Sequence, residues 1–219
     1  MSQNITTSMI DQDTLNARSR ETRERLIQAG LTLFGRLGFD GVRTRQLVEE
    51  ARVNQSAIPY HFGGKEGVYT AVLEHVAANI VLRLDLPRPA VASGGAASAA
   101  LGVLMQDFVF ALLDSKTSTA GSLLLAREQL QPTDQFDALY ARLFQPLHQS
   151  VADLVADSRE EARGDRAPIL RAHAILGQAL AFAVARETLL RRLGVEALSE
   201  KDVADIAAMV GSMAIAACA

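Results

Sequence analysis

Residues 44–65 read TRQLVEEARVNQSAIPYHFGGK. Leu47, Val48 and Ala51 recur at helical spacing, so a short helix with one apolar face starts at Thr44, whose hydroxyl can cap it. Arg52-Val53-Asn54 carries no such period and reads as a turn. Asn54 can cap a second helix, with Ala57, Ile58 and Phe62 inward and Gln55, Ser56, Tyr60 and His61 outward. Lys65-Glu66 then opens a third helix, with Gly64 as its cap and Glu66 in the favourable first turn. A short helix, a tight turn and a helix with a polar outer face are what entry into a DNA major groove requires.

Two residues strain this pattern. Arg52 stands where such a turn often needs positive φ, and a non-glycine residue there costs about 1 kcal/mol or more, so either the turn is strained or its geometry differs slightly. Pro59 removes a backbone donor from the second helix, which is then expected to be short or irregular.

Outward from this segment the pattern stays helical. Leu26, Ile27, Gly30, Leu31, Phe34 and Leu37 place a helix over residues 19–37, stopped by Gly38, and residues 1–18 read as a disordered arm. The helix from Lys65 runs to about Leu84, where Pro87 and Pro89 open the loop PRPAVASGGAAS. Further helices are expected over 97–114, 118–130, 134–158, 167–193 and 199–217. Asp114-Ser115-Lys116, Gln131-Pro132-Thr133 and Gly164-Asp165 supply the breaks, Asp134 and Ser199 the caps, and Pro146 a kink. With no strand signal the fold is expected to be all-α: a three-helix DNA-binding domain over 19–66 and a helical body over 67–219.

Charge is unevenly spread. The net charge is −3, yet residues 16–66 hold nine Lys/Arg against six Asp/Glu, a surplus of three, which leaves −6 on the remainder. A basic head on an acidic body suits a protein that touches DNA at one end. The polar start lacks the pattern of a secretory signal. Gln178 and Asp205 interrupt the most apolar runs, and Cys218 is the only cysteine. The expectation is a soluble, cytoplasmic chain with no membrane partner.

The string AIPYHFGGKEGVY, together with Thr44, Ala51, Val53, Asn54, Gln55, Lys65, Glu66 and Tyr69, resembles the TetR family of bacterial transcriptional regulators over residues 19–75. Arg127, Glu128, Pro132, Thr133, Phe136, Tyr140, Phe144 and Pro146 carry a second resemblance, to its CecR-like branch. These resemblances imply a ligand-responsive regulator, most often a repressor, that binds a double-stranded DNA operator as a homodimer through its last two helices. They imply no cofactor.

The DNA-binding residues expected on this basis are Arg43, Thr44, Arg45, Gln55, Ser56, Ala57, Tyr60, His61 and Lys65. Thr44 at a helix N-terminus, flanked by Arg43 and Arg45, suits a phosphate, as do Tyr60, His61 and Lys65. Gln55 and Ser56 suit base edges, and Ala57 a thymine methyl. Tyr60 can instead pack on the first helix, and His61 can be a core histidine.

For the small-molecule effector the expected contacts are Phe108, Phe136, Tyr140, Phe144 and Phe182, with Phe110 and Leu124 as further walls. Arg127, Glu128, His148, His173 and Gln178 are the candidate polar anchors, although aromatics at this spacing also serve as plain core. Gly177 and Gly211 are expected to let the last helices approach closely in the dimer. Two other readings stand beside this one. A helical dimer of this type can bind a ligand or protein without an operator. An enzyme is the remote alternative, since no metal-ligand spacing, nucleophile elbow or phosphate loop appears in the sequence.

Overall fold

The computed structural model describes residues 3–84, 86, 94–113 and 119–218, with side chains from Asn16 onward except Thr119. The described residues are helical and contain no strand. They form eleven α-helices: α1 Gln3–Leu37, α2 Thr44–Ala51, α3 Ala57–Phe62, α4 Lys65–Arg83, α5 Gly95–Leu113, α6 Thr119–Leu130, α7 Phe136–Leu139, α8 Gln145–Ser158, α9 Arg166–Val184, α10 Arg186–Leu193 and α11 Glu200–Ala216. The chain divides into two units, residues 1–75 and 76–219.

The expected all-α class holds, and several boundaries move. α1 starts at Gln3, so residues 3–18 of the expected arm are helical; that stretch contains no Gly or Pro to interrupt a helix. The division falls inside α4 rather than at residue 66, because the first half of α4 packs on α1. Tyr69 meets Phe34 edge-on at 5.0 Å, and Gly30 lies against Val68 and Val72. The break expected at Asp114-Ser115-Lys116, and residues 87–93 of the loop, lie outside the described residues.

In the first unit, Leu26, Ile27, Leu33 and Phe34 of α1 are buried with Leu47, Val48 and Ala51 of α2 and Ile58 of α3. Leu31 is only half-buried and Leu37 is exposed, so the apolar stripe of α1 is turned toward Leu33. Gly38, at φ 73°, ends α1 as its sequence predicts.

In the second unit α5 is the central helix, with Leu101, Leu104, Met105, Phe108 and Val109 buried. It crosses α11 at Gly102 and Gly211. A Cβ at Gly211 would stand 2.9 Å from the Gly102 carbonyl oxygen and 2.8 Å from Gln106 Cγ. Gly211 therefore serves packing within the chain, not the dimer surface expected for it. α5 and α9 are both long and apolar enough to cross a membrane. α5 spends that apolarity on the core, and α9 presents much of its own outward.

The helix expected over 134–158 is interrupted as Pro146 requires. Residues Tyr140–Phe144 form a π-helical turn ahead of it, and the Gln145 amide reaches back to the Tyr140 carbonyl. Proline has no N–H for the carbonyl four residues earlier and its ring crowds that position, so the ladder widens by one residue. The start of this segment is not capped by Asp134. The Thr133 hydroxyl accepts the Gln135 amide at 3.2 Å and the Thr133 carbonyl accepts that of Phe136 at 3.0 Å. The helix expected over 167–193 breaks at Ala185 (φ −96°, ψ 24°), a position with no Gly or Pro to announce it. Ser199 does cap α11. Its hydroxyl accepts the Asp202 amide at 3.1 Å, and the Asp202 carboxylate accepts the Ser199 amide at 2.8 Å.

Candidate nucleic-acid interface and effector cavity

α2, the turn and α3 form the predicted helix-turn-helix. Arg52 takes the left-handed conformation the turn demands, at φ 54° and ψ 49°. The strain is held from both sides. The Arg52 and Val53 amides close back onto α2 through the Glu49 and Val48 carbonyls, and the Arg25 guanidinium of α1 donates to the Arg52 carbonyl at 3.0 Å. Arg23, also on α1, lies 5.2 Å from the centre of the Phe62 ring at the end of α3. Sequence reading missed both arginines. Their signal is position: they precede the apolar stripe of α1 on the side that meets the turn.

Neither expected cap side chain acts as expected. Arg43, not Thr44, is the residue ahead of α2, and the Gln46 side chain accepts its amide at 2.8 Å. Thr44 is the first helical residue and stays exposed. Asn54 contributes its carbonyl, which accepts the Ala57 amide at 3.0 Å, rather than a side-chain cap.

α3 is short, as Pro59 predicts, with six residues. Pro59 falls in its first turn, where an amide has no partner inside the helix and its loss costs little. Gln55 and Ser56 lie exposed in the turn just ahead of α3 rather than within it. Ile58 is buried beneath, while Ala57 and Phe62 are half-buried. Tyr60 is 81% exposed, which removes the reading in which it packs on α1. His61 is half-buried and stands edge-on to Tyr60 at 4.8 Å. Thr22, Arg25, Asn54, Ser56 and Tyr60 border one open polar hollow beside the turn.

Arg43 and Arg45 are exposed at the start of α2. Arg45 pairs with Glu49 at 2.7 Å, a solvent-exposed helix-surface contact that water screens, so a phosphate can displace it. Lys65 has a structural task the sequence did not reveal. Its ammonium donates to the Phe39 and Val42 carbonyls at 3.2 Å each and sits 4.1 Å from the Phe39 ring centre. Two of its three donors tie the loop before α2 to α4. Lys65→Ala is therefore expected to destabilise the first unit by about 1.5–3 kcal/mol, beyond any effect on DNA. Urea unfolding checks this, and unchanged stability would mean that the clamp is idle.

In the second unit a cavity of about 230 Å³ opens among α4, α5, α6, α8, α9 and the π-helical turn. Of the expected effector contacts, Phe108, Phe144, His148 and His173 line it. Its remaining wall is aliphatic, chiefly Leu112, Leu125, Leu143, Leu147, Leu176 and Leu180. Arg127, Glu128, Phe136, Tyr140, Gln178 and Phe182 do not line it, nor do Phe110 and Leu124. Glu128 is buried and accepts the Thr133 hydroxyl at 3.1 Å and the Thr133 amide at 3.3 Å, which fixes the step into α7. Arg127 points to solvent, as adjacent residues on a helix must diverge. Phe136 stands tilted 5.9 Å from Phe144 and stacks 6.3 Å from Tyr140, outside the cavity lining. The side-chain oxygen of Gln178 is buried with no hydrogen-bond partner. Gly177 lines the cavity, and a Cβ there would meet nothing within 4 Å, so it is not a close-packing residue within the chain.

The polar groups of the lining are Ser122, Gln129 and the two histidines. Ser122 is occupied, its hydroxyl donating to the Leu112 carbonyl at 2.9 Å. The His148 and His173 rings lie 5.8 Å apart. Burial first, and then electrostatic coupling to the neighbouring imidazole, hold His148 below the ordinary imidazole range, against a weaker upward pull from a backbone hydrogen bond.

Two family models match this chain. Residues 26–72 match the bacterial regulatory proteins of the TetR family, and residues 97–218 match the C-terminal domain of the HTH-type transcriptional dual regulator CecR. The chain belongs to the TetR family, in its CecR-like branch. It is a ligand-responsive, DNA-binding transcriptional regulator and not an enzyme. It is similar to the dual regulator CecR of Shigella flexneri, 30% identical over 198 residues that span 85% of this chain and 86% of that one. The transcriptional repressor NicS of Pseudomonas putida is 38% identical over 73 residues, 31% of this chain and 34% of NicS. Among solved structures, PfmR of Thermus thermophilus, a TetR-family regulator, superposes with a TM-score of 0.62 at 12% identity, covering 88% of this chain and 97% of that one. AibR, solved with isovaleryl coenzyme A and operator DNA, gives 0.61 at 13% identity, covering 87% and 97%.

Proposed function

We propose that this regulator is a homodimeric repressor that holds a near-palindromic operator and lets it go when a small, mostly apolar effector enters the cavity of the second unit. The exposed N-terminal end of α3, with Gln55, Ser56 and Tyr60 uncovered around a buried Ile58, carries the DNA half of this reading. In it, Gln55 and Ser56 read base edges and Ala57 meets a thymine methyl. Arg43, Thr44, Arg45, Tyr60, His61 and the free donor of Lys65 hold phosphates. Such a protein works on chromosomal DNA, in the cytoplasm.

The dimer half rests on the outer face of α9. Ala167, Leu170, Ala174, Gly177, Ala181 and Val184 are all exposed, at alternating spacings of three and four residues. That is the period of a helix-packing seam. Met209 and Met213 of α11 are likewise exposed. A two-fold pair of such faces also pairs two recognition helices for two half-sites.

The effector half rests on the apolar cavity. α4 carries residues of both units, and its Ile80 lines the cavity, so the reading makes α4 the element through which an occupant acts. An effector that binds the DNA-incompetent state better by about 1–3 kcal/mol is weakened to the same extent by operator.

The test is operator binding across a salt series. Affinity is expected to fall steeply, by about 10³–10⁵-fold between low and physiological salt if six to ten phosphates are held. Tyr60→Phe should weaken all sequences alike, whereas Gln55→Ala should relax preference at one base pair by about 1–3 kcal/mol. A flat salt response would overturn operator binding and favour a dimer that acts on a ligand or protein alone. Opposite phenotypes for the two variants would reverse their roles.

A further inference from the structure

We propose that His148 and His173 form the polar end of the effector cavity and select a small monocarboxylate with an apolar body. This rests on the reading of the cavity as the effector site and gives its ligand a chemical class.

The lining itself narrows the choice. α4, α5, α6 and the π-helical turn offer it apolar groups together with Ser122 and Gln129. His148 from α8 and His173 from α9 are the ionisable residues of the lining; no carboxylate, lysine or arginine shares it among the described residues. A cationic ligand would meet no counter-charge there, so its burial would go uncompensated. An anionic one meets two imidazoles. Their rings are 5.8 Å apart and tilted by 34°, close enough for one N–H from each to reach one carboxylate, one to each oxygen. The competing hydroxyl of Ser122 is already spent on the Leu112 carbonyl.

Size narrows it further. At about 230 Å³ the cavity falls below the ~300–1,000 Å³ of pockets that enclose drug-sized molecules, so the occupant is small. Its wall of Phe108, Leu143, Leu147, Leu176 and Leu180 demands an aliphatic or aromatic body.

The pair also sets a proton balance. His148 is held below the ordinary imidazole range, by burial first, so it favours its neutral form in the empty cavity. A carboxylate entering it favours the imidazolium, and the site takes up a proton from solvent as it binds. Binding must then tighten as pH falls through the histidine range, while the ligand's own carboxylate stays ionised.

The experiment is calorimetric titration of the full-length protein with octanoate and with octan-1-ol, at about pH 8 and about pH 6. Octanoate is expected to bind about tenfold tighter at the lower pH, while octanol stays unchanged. In His148→Gln/His173→Gln, octanol is expected to bind as before, showing an intact cavity. Octanoate should lose both its pH dependence and its advantage over octanol. Equal binding of acid and alcohol at both pH values, or an acid preference that survives in the double variant, overturns the histidine assignment and leaves the effector cavity standing. Binding of neither compound overturns both.

Discussion

Ala181→Arg is expected to convert the protein to a monomer and to reduce operator affinity by at least about 100-fold. Ala181 sits on the outward stripe of α9 and is exposed, so within one chain a longer side chain has open space there. Ala181 itself does not line the cavity, although Gly177 and Val184 of the same stripe do. Across a two-fold seam of Ala, Gly and Leu the same change brings two guanidiniums together in an apolar contact that holds no partner for them. The loss on DNA follows from linkage of the heads. In a dimer the second half-site is met at an effective concentration in the millimolar range, and a monomer forfeits that advantage entirely. Sedimentation velocity at micromolar protein, paired with operator titration by anisotropy, reads both quantities. A variant that remains dimeric with unchanged affinity would place the interface elsewhere. Gly211→Arg is a poor substitute for this test, because Gly211 packs against Gly102 and Gln106 of its own chain and its failure would be a folding failure.

Periodicity and punctuation made most of the fold legible. α2 was located by Leu47, Val48 and Ala51, although its cap moved from Thr44 to Arg43; Arg52 marked the turn as a place of strain, Pro146 the disturbance near residue 146, and Ser199 the start of α11. What escaped was fixed by contacts distant in sequence. Lys65 reads as a phosphate ligand until its ammonium is seen on the Phe39 and Val42 carbonyls, 26 and 23 residues earlier. Arg25 looks like ordinary surface charge until it is found on Arg52, 27 residues away. The split at Ala185 has no local cause in its residues.

The cavity was half legible for a related reason. Its histidines and two of its phenylalanines stand out by type, but its leucines look the same as core leucines in any sequence. Glu128 stands out in the sequence through the Arg127-Glu128 pair of the CecR-like resemblance. Its true partner is Thr133, five residues on, and their contact closes a loop. A buried carboxylate thus marked a structural joint rather than a binding group.

Phe34→Ala is expected to cost the first unit about 3–5 kcal/mol, and with it specific DNA binding. Phe34 is fully buried. Its ring meets Tyr69 of α4 edge-on at 5.0 Å and stacks 6.2 Å from Phe39 in the loop before α2. Phe39 in turn stands 4.9 Å from Tyr69 and under the Lys65 ammonium. Removing the central ring leaves a void that three elements share, and the neighbours cannot collapse into it without moving α4 against α1. The loss is large beside the ~5–15 kcal/mol that stabilises a whole domain. Because the chain divides at His75, the damage should be uneven. Denaturant unfolding is expected to show the first unit melting early, while the second keeps its transition and its binding of small apolar compounds. A single, uniformly shifted transition would mean that the two units fold as one. An unshifted first transition would mean that the aromatic cluster is incidental to the head. Phe34→Leu, which refills most of the volume without the ring edge, should recover most of the stability and isolate the contribution of the aromatic contacts at about 0.5–1.5 kcal/mol.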